Sequence, residues 1–343
     1  MAAALTLAER GRGRTAPNPN VGCVIVRDGQ VVGRGWTQPS GRPHAEAVAL
    51  AEAGAAARGA TAYVTLEPCA HQSPRGPACS KLLVEAGVAH VVIALGDPDP
   101  RTDGGGIALL EAAGIAVTHG VLAAEARQTT AGFLARQALD RPQVTLKLAT
   151  SLDGCIALAN GESRWITGPE ARAHAHLERA RHEAILVGRG TLDADAPRLD
   201  VRLSGLEARS PRRVLLSASH HPCNDGISSR QTHRGPHRQE PVTRSCESDD
   251  WVMIDSPQSI EGLRNVDHIL VEGGAATAAS FLASDLVDRL LLYRAPIVIG
   301  GKPALGDIGL AHLADAHDRW RLVDARRLGS DRLEVYLRRR EAI

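Results

Sequence analysis

One histidine, two cysteines and a glutamate in the first eighty residues have the types and spacing of a hydrolytic metal site. His44, Cys69 and Cys79 carry soft ligand atoms that suit zinc, and three protein ligands leave the fourth position of the ion open. An open position holds a water molecule, whose pKa zinc lowers towards neutrality. Glu46 follows His44 by two residues and can share the site. The sequence therefore predicts a zinc site that activates water beside a carboxylate.

The order of these residues follows the zinc-deaminase signature with one departure. The signature is H-x-E followed by P-C-x-x-C, and its non-ligating glutamate moves protons between the water and the leaving amine. Here nine residues separate Cys69 from Cys79, where the signature has two. A lone His-x-Glu is usually a surface pair, and a lone cysteine is usually a small buried hydrophobe. The combination favours His44, Cys69 and Cys79 as zinc ligands and Glu46 as the catalytic acid–base.

The elements around these residues would bring them together. Val64 to Leu66 is typical of a strand that delivers Cys69 at its end, and Ala45 to Ala57 is typical of a helix with Glu46 in its first turn. Strands alternate with helices through the first half, which predicts an α/β sheet covered on both faces.

Two further features of the first half bear on a pocket. Asn18 and Asn20 lie in a Pro-Asn-Pro-Asn turn before a buried strand. Either both asparagines only form the turn, or one of them directs its side-chain amide towards a bound ligand. The sequence is compatible with both roles. The triple glycine at 104–106 lacks G-x-G-x-x-G spacing after a strand, which favours a flexible connection over a phosphate cradle.

In the second half, polar and aromatic residues lie at the carboxyl ends of predicted strands, where open α/β sheets bind ligands. The predicted strand His268–Val271 ends in Glu272-Gly273-Gly274 before a helix of small residues, so backbone N–H groups could approach a phosphate there. The side chains delivered to the strand ends are Lys147, Ser151, Asp153, Ser163, Trp165, Thr191, Asp195 and Arg202.

Length and composition bound the class of protein. A chain of 343 residues suggests two domains, and Arg141-Pro142 marks a boundary. The net charge of +1 and the nine aromatic residues argue against nucleic acid as a partner. We find neither an apolar run of membrane-spanning length nor a signal peptide. Six sparse cysteines fit a reducing compartment. We therefore expect a cytoplasmic enzyme that binds neither nucleic acid nor membranes. We also expect a small-molecule partner and a homo-oligomer, which these features do not themselves indicate.

Three stretches of the first half resemble the deaminase half of the bifunctional riboflavin-biosynthesis deaminase/reductases. They are Pro17–Cys23, His44–Glu46 and Thr65–His71. The family also has a long cysteine spacing, in a loop that typically reads P-C-x-H-x-G-R-T-P-P-C. The loop from Pro68 to Cys79 is one residue longer and changes the Gly-Arg-Thr order. The resemblance implies a cytidine-deaminase-like three-layer domain over residues 1–141.

Three stretches of the second half resemble the reductase half of the same family, namely Leu146–Gly154, Gly161–Thr167 and Val271–Gly274. The resemblance implies a dihydrofolate-reductase-like α/β domain over residues 142–343. The implied NADPH contacts are Ala149, Trp165, Thr191, Asp195, Gly274, Ala275, Ala276, Thr277, Ala278, Ala279 and Ser280. The implied substrate contacts are Lys147, Ser163, Arg179, Leu199, Arg202 and Glu272, with the arginines meeting a phosphate.

The second half also departs from the family. The family usually reads T-V-L-A-D-D-P-x-L-T-x-R, whereas the second aspartate of that motif is Ala196 here. Residues 220–248 are rich in His, Arg, Ser, Pro and Gly and are expected to be irregular.

The resemblance implies two reactions of riboflavin biosynthesis. The first is zinc-dependent hydrolytic deamination of 2,5-diamino-6-ribosylamino-4(3H)-pyrimidinone 5′-phosphate. The second is NADPH-dependent reduction of the ribosyl group to a ribityl group. Two alternatives stay open: another zinc deaminase, acting on a nucleoside or tRNA and fused to an unrelated domain, and a deaminase-only or non-catalytic descendant whose reductase half has decayed.

Overall fold

A computed structural model describes residues 1–71, 75–217, 244–246 and 251–340 of the chain. It divides into two compact units. Of the described residues, the first contains Met1–Asp140 with Asn265–Asp267, and the second contains those within Arg141–Arg264 and from His268 to Arg340.

The first unit is built on a five-stranded sheet in the order β2-β1-β3-β4-β5. The strand β1 pairs antiparallel with β2 and β3, whereas β3, β4 and β5 run parallel. Its strands are β1 (Gly22–Arg27), β2 (Gln30–Trp36), β3 (Thr61–Val64), β4 (His90–Ile93) and β5 (Ala116–His119). Its helices are α1 (Ala2–Ala8), α2 (Ala45–Ala53), α3 (Cys79–Ala86), α4 (Gly105–Ala112), α5 (Ala123–Thr129) and α6 (Ala131–Leu139).

Glycines let helices pack closely on both faces of this sheet. A Cβ at Gly22 would lie 1.9 Å from the carbonyl oxygen of Ala4 in α1, and one at Gly35 would lie 2.0 Å from that of Ala45 in α2. Gly22 pairs with Trp36, and Gly35 pairs with the next residue of β1, so the two glycines face opposite sides of the sheet. The prediction of a three-layer domain with a sheet covered on both faces is confirmed.

The second unit is built on a nine-stranded sheet in the order β10-β11-β9-β8-β12-β6-β13-β16-β15. The strands from β11 to β13 in that order are parallel, and β10, β16 and β15 add antiparallel edges. A two-stranded ribbon pairs β14 with β7.

The strands of this unit are β6 (Gln143–Thr150), β7 (Cys155–Ala157), β8 (Ala184–Gly188), β9 (Arg212–Leu216), β10 (Arg244–Cys246), β11 (Trp251–Ile254), β12 (His268–Val271), β13 (Val287–Arg294), β14 (Lys302–Pro303), β15 (Trp320–Leu328) and β16 (Asp331–Arg338). Its helices are α7 (Pro169–Arg179), α8 (Arg189–Asp195) and α9 (Ala275–Ala283). Because β8, β12 and β6 are parallel neighbours, their carboxyl ends meet at one edge of the sheet.

Most of the segment predicted to be irregular, 220–248, lies outside the described residues. The exception is β10, a strand inside that segment that pairs with β11. Within the described residues, none of the helices has the length and apolar character needed to span a membrane.

Candidate active sites

The three predicted zinc ligands converge at the helix starts of the first unit. His44 is the residue just before α2, Cys79 is the first residue of α3, and Cys69 lies in the loop beyond β3. Their ligand atoms all lie within 4.8 Å of one another. The Nδ1 atom of His44 is 3.3 Å from Sγ of Cys79 and 3.7 Å from Sγ of Cys69. One imidazole nitrogen and two sulfurs form a donor set that fits zinc and leaves a fourth position for water.

The charge states of this cluster suit metal binding and proton transfer. The hydrogen bond with the Cys79 thiol lowers the pKa of Cys69 to about 4, so the pair contains a thiolate, which is the form that binds zinc. Glu46 lies in the first turn of α2 and is only 3% exposed. Burial raises the pKa of Glu46 to about 7. A carboxyl that titrates near neutral pH can both accept and release a proton.

A pocket of about 460 Å³ opens in front of this cluster, and Asn18 lines it. The Asn18 amide lies 3.0 Å from Nε2 of His44, so it can fix the orientation of the ring. Asn20 is buried, and its Nδ2 donates to the carbonyl oxygens of Ala8 and Thr129. Of the two roles left open, Asn18 faces the pocket and Asn20 ties the turn to neighbouring helices.

The triple glycine is neither a phosphate cradle nor the predicted flexible connection. Backbone N–H groups of Asp97, Gly104, Gly106 and Ile107 donate to the Glu67 carboxylate at 2.9 to 3.3 Å. Glu67 is 4% exposed, and a Cβ at Gly106 would lie 2.0 Å from the carbonyl oxygen of Pro68. The glycines therefore enclose a carboxylate of the protein itself. A glutamate just before Pro-Cys and a glycine run at a helix start were the only sequence signals for this contact.

In the second unit, a cleft of about 810 Å³ lies at the carboxyl ends of β6 and β12. All six predicted substrate contacts line this cleft, as do four of the predicted NADPH contacts. These ten residues are Lys147, Ser163, Arg179, Leu199, Arg202 and Glu272, with Ala149, Trp165, Thr191 and Asp195.

A second cleft of about 590 Å³ opens at the N-terminus of α9. Gly274, Ala275, Ala276, Thr277 and Ser280 line it, together with Thr191 and Asp195. Ala278 and Ala279 do not: they are 0% and 7% exposed and lie on the buried face of α9. We therefore do not propose these two alanines as NADPH contacts.

Charged groups pair closely in the larger cleft. Nε and Nη2 of Arg179 donate to the two carboxylate oxygens of Glu272 at 2.8 and 2.9 Å, and Nζ of Lys147 lies 3.7 Å away. Burial alone would raise the pKa of Glu272, but Lys147 and Arg179 hold it at about 2. Asp195 pairs with Arg164 at 3.0 Å. The sequence did not indicate Arg172 or Arg198, which also line the cleft.

Two protein families match the chain, one in each of the two units. The model of the cytidine and deoxycytidylate deaminase zinc-binding region matches residues 1–95, and that of the RibD C-terminal domain matches residues 142–333. Riboflavin biosynthesis protein RibD of Escherichia coli strain K12 is 41% identical over 96% of this chain and 96% of its own length. The chain belongs to the RibD family. RibD of Mycobacterium tuberculosis H37Rv is 38% identical over 94% of this chain and 91% of its own.

Two solved structures share the fold of both units. Acinetobacter baumannii RibD (form 1) matches with a TM-score of 0.82 and 36% identity, covering 99% of this chain and 98% of that one. The diaminohydroxyphosphoribosylaminopyrimidine deaminase/5-amino-6-(5-phosphoribosylamino)uracil reductase of Thermotoga maritima matches with a TM-score of 0.80 and 32% identity, covering 98% and 97%.

RibD-family membership confirms the resemblance drawn from the motifs. The family consists of bifunctional enzymes of riboflavin biosynthesis, in which deamination precedes reduction, and their cofactors are zinc and NADPH. The match of the RibD C-terminal domain rules out a zinc deaminase fused to an unrelated domain.

Proposed function

We propose that residues 1–141 deaminate the diamino ribosylamino-pyrimidinone 5′-phosphate, and that residues 142–343 reduce the ribosyl group of the product. The observation that carries this proposal is the convergence of His44, Cys69 and Cys79 within 4.8 Å, beside the buried Glu46. The cleft that is lined by the predicted reductase residues supports the proposed reduction by residues 142–343.

At the first site, His44, Cys69 and Cys79 would hold the metal, and Asn18 would orient the His44 ring. Bound zinc makes hydroxide available at neutral pH by lowering the pKa of water. Glu46 takes a proton from the attacking water and passes protons to the ring nitrogen and to the amino group at C2, which leaves as ammonia. The four backbone N–H groups that surround the Glu67 carboxylate form what we call the Glu67 cradle. The cradle holds the loop that carries Asp97 and Asp99, two residues that also line this pocket.

At the second site, NADPH would supply the hydride that converts the ribosylamino group, in its ring-opened imine form, into a ribitylamino group. The proposed contacts of the protein with NADPH are Ala149, Trp165, Thr191, Asp195, Gly274, Ala275, Ala276, Thr277 and Ser280. The proposed contacts with the substrate are Lys147, Ser163, Arg179, Leu199, Arg202 and Glu272. The Arg179–Glu272 pair and Lys147 would align the sugar chain, because their positions are fixed by mutual hydrogen bonds and charge.

We further propose that the protein forms a homo-oligomer in the cytoplasm and has a phosphorylated pyrimidine as its small-molecule partner. We propose that it binds neither nucleic acid nor a membrane. The net charge of +1 supports the absence of nucleic acid. Cys23, Cys69, Cys79 and Cys155 are not disulfide-bonded, which is consistent with a reducing compartment.

An assay of the purified, zinc-replete protein tests this proposal. The diamino substrate is supplied with and without NADPH, and both ammonia and NADPH are measured. We expect ammonia in both cases and NADPH oxidation when the cofactor is present. Ammonia without NADPH oxidation would favour a deaminase with a decayed reductase half, the alternative that Ala196 suggests. The absence of both products would contradict the proposal.

A further inference from the structure

The second cleft of the second unit, at the N-terminus of α9, carries more positive than negative charge. Two cationic side chains line it, Arg189 and Lys302. Among the described residues, Asp195 is the one carboxylate that lines it, and Asp195 pairs with Arg164 at 3.0 Å. NADPH differs from NADH by a phosphate on the 2′-oxygen of the adenosine ribose, and such a monoester carries roughly −1.5 to −2 charges near neutral pH. The two cations are therefore the candidates for binding that phosphate.

The layout of the cleft indicates the direction in which NADPH would lie. Ser163, Thr191 and Asp195 line both this cleft and the larger one, so the nicotinamide, which must reach the substrate, belongs at that shared end. The N-terminus of α9 follows β12 and suits the pyrophosphate. In the sheet, β8 and then β9 lie on one side of β12. Leu216 of β9 lines this cleft and not the larger one, so the adenosine end extends towards β8 and β9.

Arg189 lies at that adenosine end. It follows β8 directly, and Gly188, the last residue of β8, pairs with Leu216 of the parallel strand β9. Arg189 and Ser217 are therefore level with each other, and Nη2 of Arg189 donates to Oγ of Ser217 at 3.4 Å. Within the part of the chain that the structure describes, no carboxylate forms an ion pair with Arg189, and its half-exposed guanidinium can meet an anion in the cleft.

Lys302 lies on the other side of the cleft. It belongs to the ribbon in which β14 pairs with β7, and this ribbon follows β6, which lies on the side of β12 opposite to β8. A Cβ at Gly161 would be 3.5 Å from Nζ of Lys302, and Gly161 precedes Ser163 of the shared end by two residues. The position of Lys302 therefore suits the pyrophosphate, which NADPH and NADH have in common.

We propose that Arg189, supported by Ser217, binds the 2′-phosphate of NADPH and sets the preference of the second unit for NADPH over NADH. The proposal rests on the proposed reduction by residues 142–343. In Rossmann folds, a carboxylate binds the ribose 2′-hydroxyl of NAD, whereas a nearby arginine accommodates the 2′-phosphate of NADP. The planar guanidinium fork pairs with phosphate oxygens bidentately, so its loss weakens the binding of the phosphorylated cofactor alone. Lys302 contributes affinity for both cofactors and no choice between them.

Kinetics of the Arg189→Ala protein with the two cofactors test this assignment. With the deaminated intermediate at saturation, KM for NADPH should rise about tenfold while KM for NADH stays within about twofold, because only NADPH loses a binding contact. Arg189→Lys keeps the charge but loses the fork, and should fall between Arg189→Ala and the wild type. Lys302→Ala should raise both KM values by the same factor. Arg327→Ala, an exposed arginine of β15 outside the cleft, is the matched control and should behave like the wild type.

A calorimetric titration tests the same contact without catalysis. The probes are adenosine 2′,5′-bisphosphate and adenosine 5′-monophosphate, which differ by the 2′-phosphate. The wild-type protein should bind the bisphosphate more tightly than the monophosphate. In Arg189→Ala, the affinity for the bisphosphate should fall about tenfold and that for the monophosphate should be unchanged, because the lost fork pairs with the 2′-phosphate.

Three results would overturn the proposal. The first is an equal rise of KM for NADPH and NADH in Arg189→Ala, and the second is a lower preference for NADPH in Lys302→Ala but not in Arg189→Ala. The third is unchanged kinetics and unchanged binding in Arg189→Ala. A wild-type protein that fails to oxidise NADPH would instead contradict the proposed function, and the titration would still decide on Arg189.

Discussion

Two glutamates with nearly buried side chains, one in each unit, are held in different charge states by their surroundings. Burial raises the pKa of Glu46 to about 7, so its proton is exchangeable near neutral pH. The pKa of Glu272 is about 2, because Lys147 and Arg179 outweigh the effect of burial. The first carboxyl therefore suits proton transfer, whereas the second is a permanent anion that positions cations.

The ion cluster around Glu272 predicts an acid-sensitive second unit. The pKa of Glu272 in the folded state lies below its unfolded value of about 4.3. The charged carboxylate therefore stabilises the folded unit above that pH, and this stabilisation is lost as the pH falls towards 2. The loss amounts to about 3 kcal/mol. Because pH 3 lies between the folded and unfolded pKa values, denaturant unfolding at pH 5 and pH 3 should show about half of this loss, roughly 1.5 kcal/mol, in the wild type and a smaller loss in Glu272→Gln. Glu162→Gln, in an exposed loop, should behave like the wild type; equal losses in all three proteins would contradict the assignment.

Removal of one predicted zinc ligand should empty the metal site. In Cys79→Ala, the two remaining ligands cannot hold zinc tightly, so we expect less than about one tenth of the wild-type zinc content and no ammonia release. Cys155→Ala removes a cysteine that is also buried but belongs to the second unit, and should keep full zinc. The zinc content of the purified proteins is measured by metal analysis. A Cys79→Ala protein with the full zinc content would exclude this ligand set.

The residues of the two sites differed in how far the sequence could predict them. His44, Cys69, Cys79 and Glu46 could be proposed from residue type and order, because few side chains bind zinc. The pairing of Arg164 with Asp195 could not, since the two residues are 31 positions apart and nothing local links them.

At the scale of elements, the first site depends on a contact between the end of one strand and the start of one helix. Glu67 follows β3, and the N–H groups at the start of α4 donate to its carboxylate. The close approach of Gly106 to the Pro68 carbonyl leaves no room for a side chain. This contact ties the loop from Asp97 to Gly104, part of the pocket wall, to the segment that carries Cys69.

Gly106→Ala should therefore disturb the deaminase site. Its Cβ would lie 2.0 Å from a backbone oxygen, so we expect a loss of about 2–4 kcal/mol in the free energy of unfolding and a raised KM for the diamino substrate. Gly105→Ala in the same turn is the control. Its Cβ would meet only the Cβ of Ala70 at 3.2 Å, so a smaller effect is expected. Equal stability and KM in the two variants, measured by unfolding and by ammonia release, would contradict this account of the cradle.

Strands, helices and their order were largely accessible from the sequence, because apolar runs, turns and small-residue helices follow local rules. The cradle was not, because Glu67 and Gly106 are 39 residues apart and nothing local links them. Without knowledge of the residue it contacts, a run of glycines is interpreted as a flexible connection.

At the scale of the whole chain, each unit contains the side chains of its own site. RibD-family similarity covers both units, including 96% of the chain against the Escherichia coli protein. Because the predicted zinc ligands all belong to the first unit, we expect the chemistry of the second to be independent of the metal.

Zinc removal tests this independence. After treatment with a chelator, ammonia release from the diamino substrate should disappear. NADPH oxidation with the deaminated intermediate should stay within about twofold of the untreated protein, and added zinc should restore ammonia release. A parallel loss of both activities would show that the metal also supports the second unit.

The most direct test of the central claim is an assay of Glu46→Gln for both activities. Because Glu46 is proposed to move the protons of deamination while the zinc ligands stay in place, this protein should bind zinc as the wild type does and release no ammonia. It should oxidise NADPH only when the deaminated intermediate is supplied. Continued ammonia release, or NADPH oxidation at the wild-type rate with the diamino substrate alone, would contradict the assignment of Glu46 and the proposed order of the two reactions.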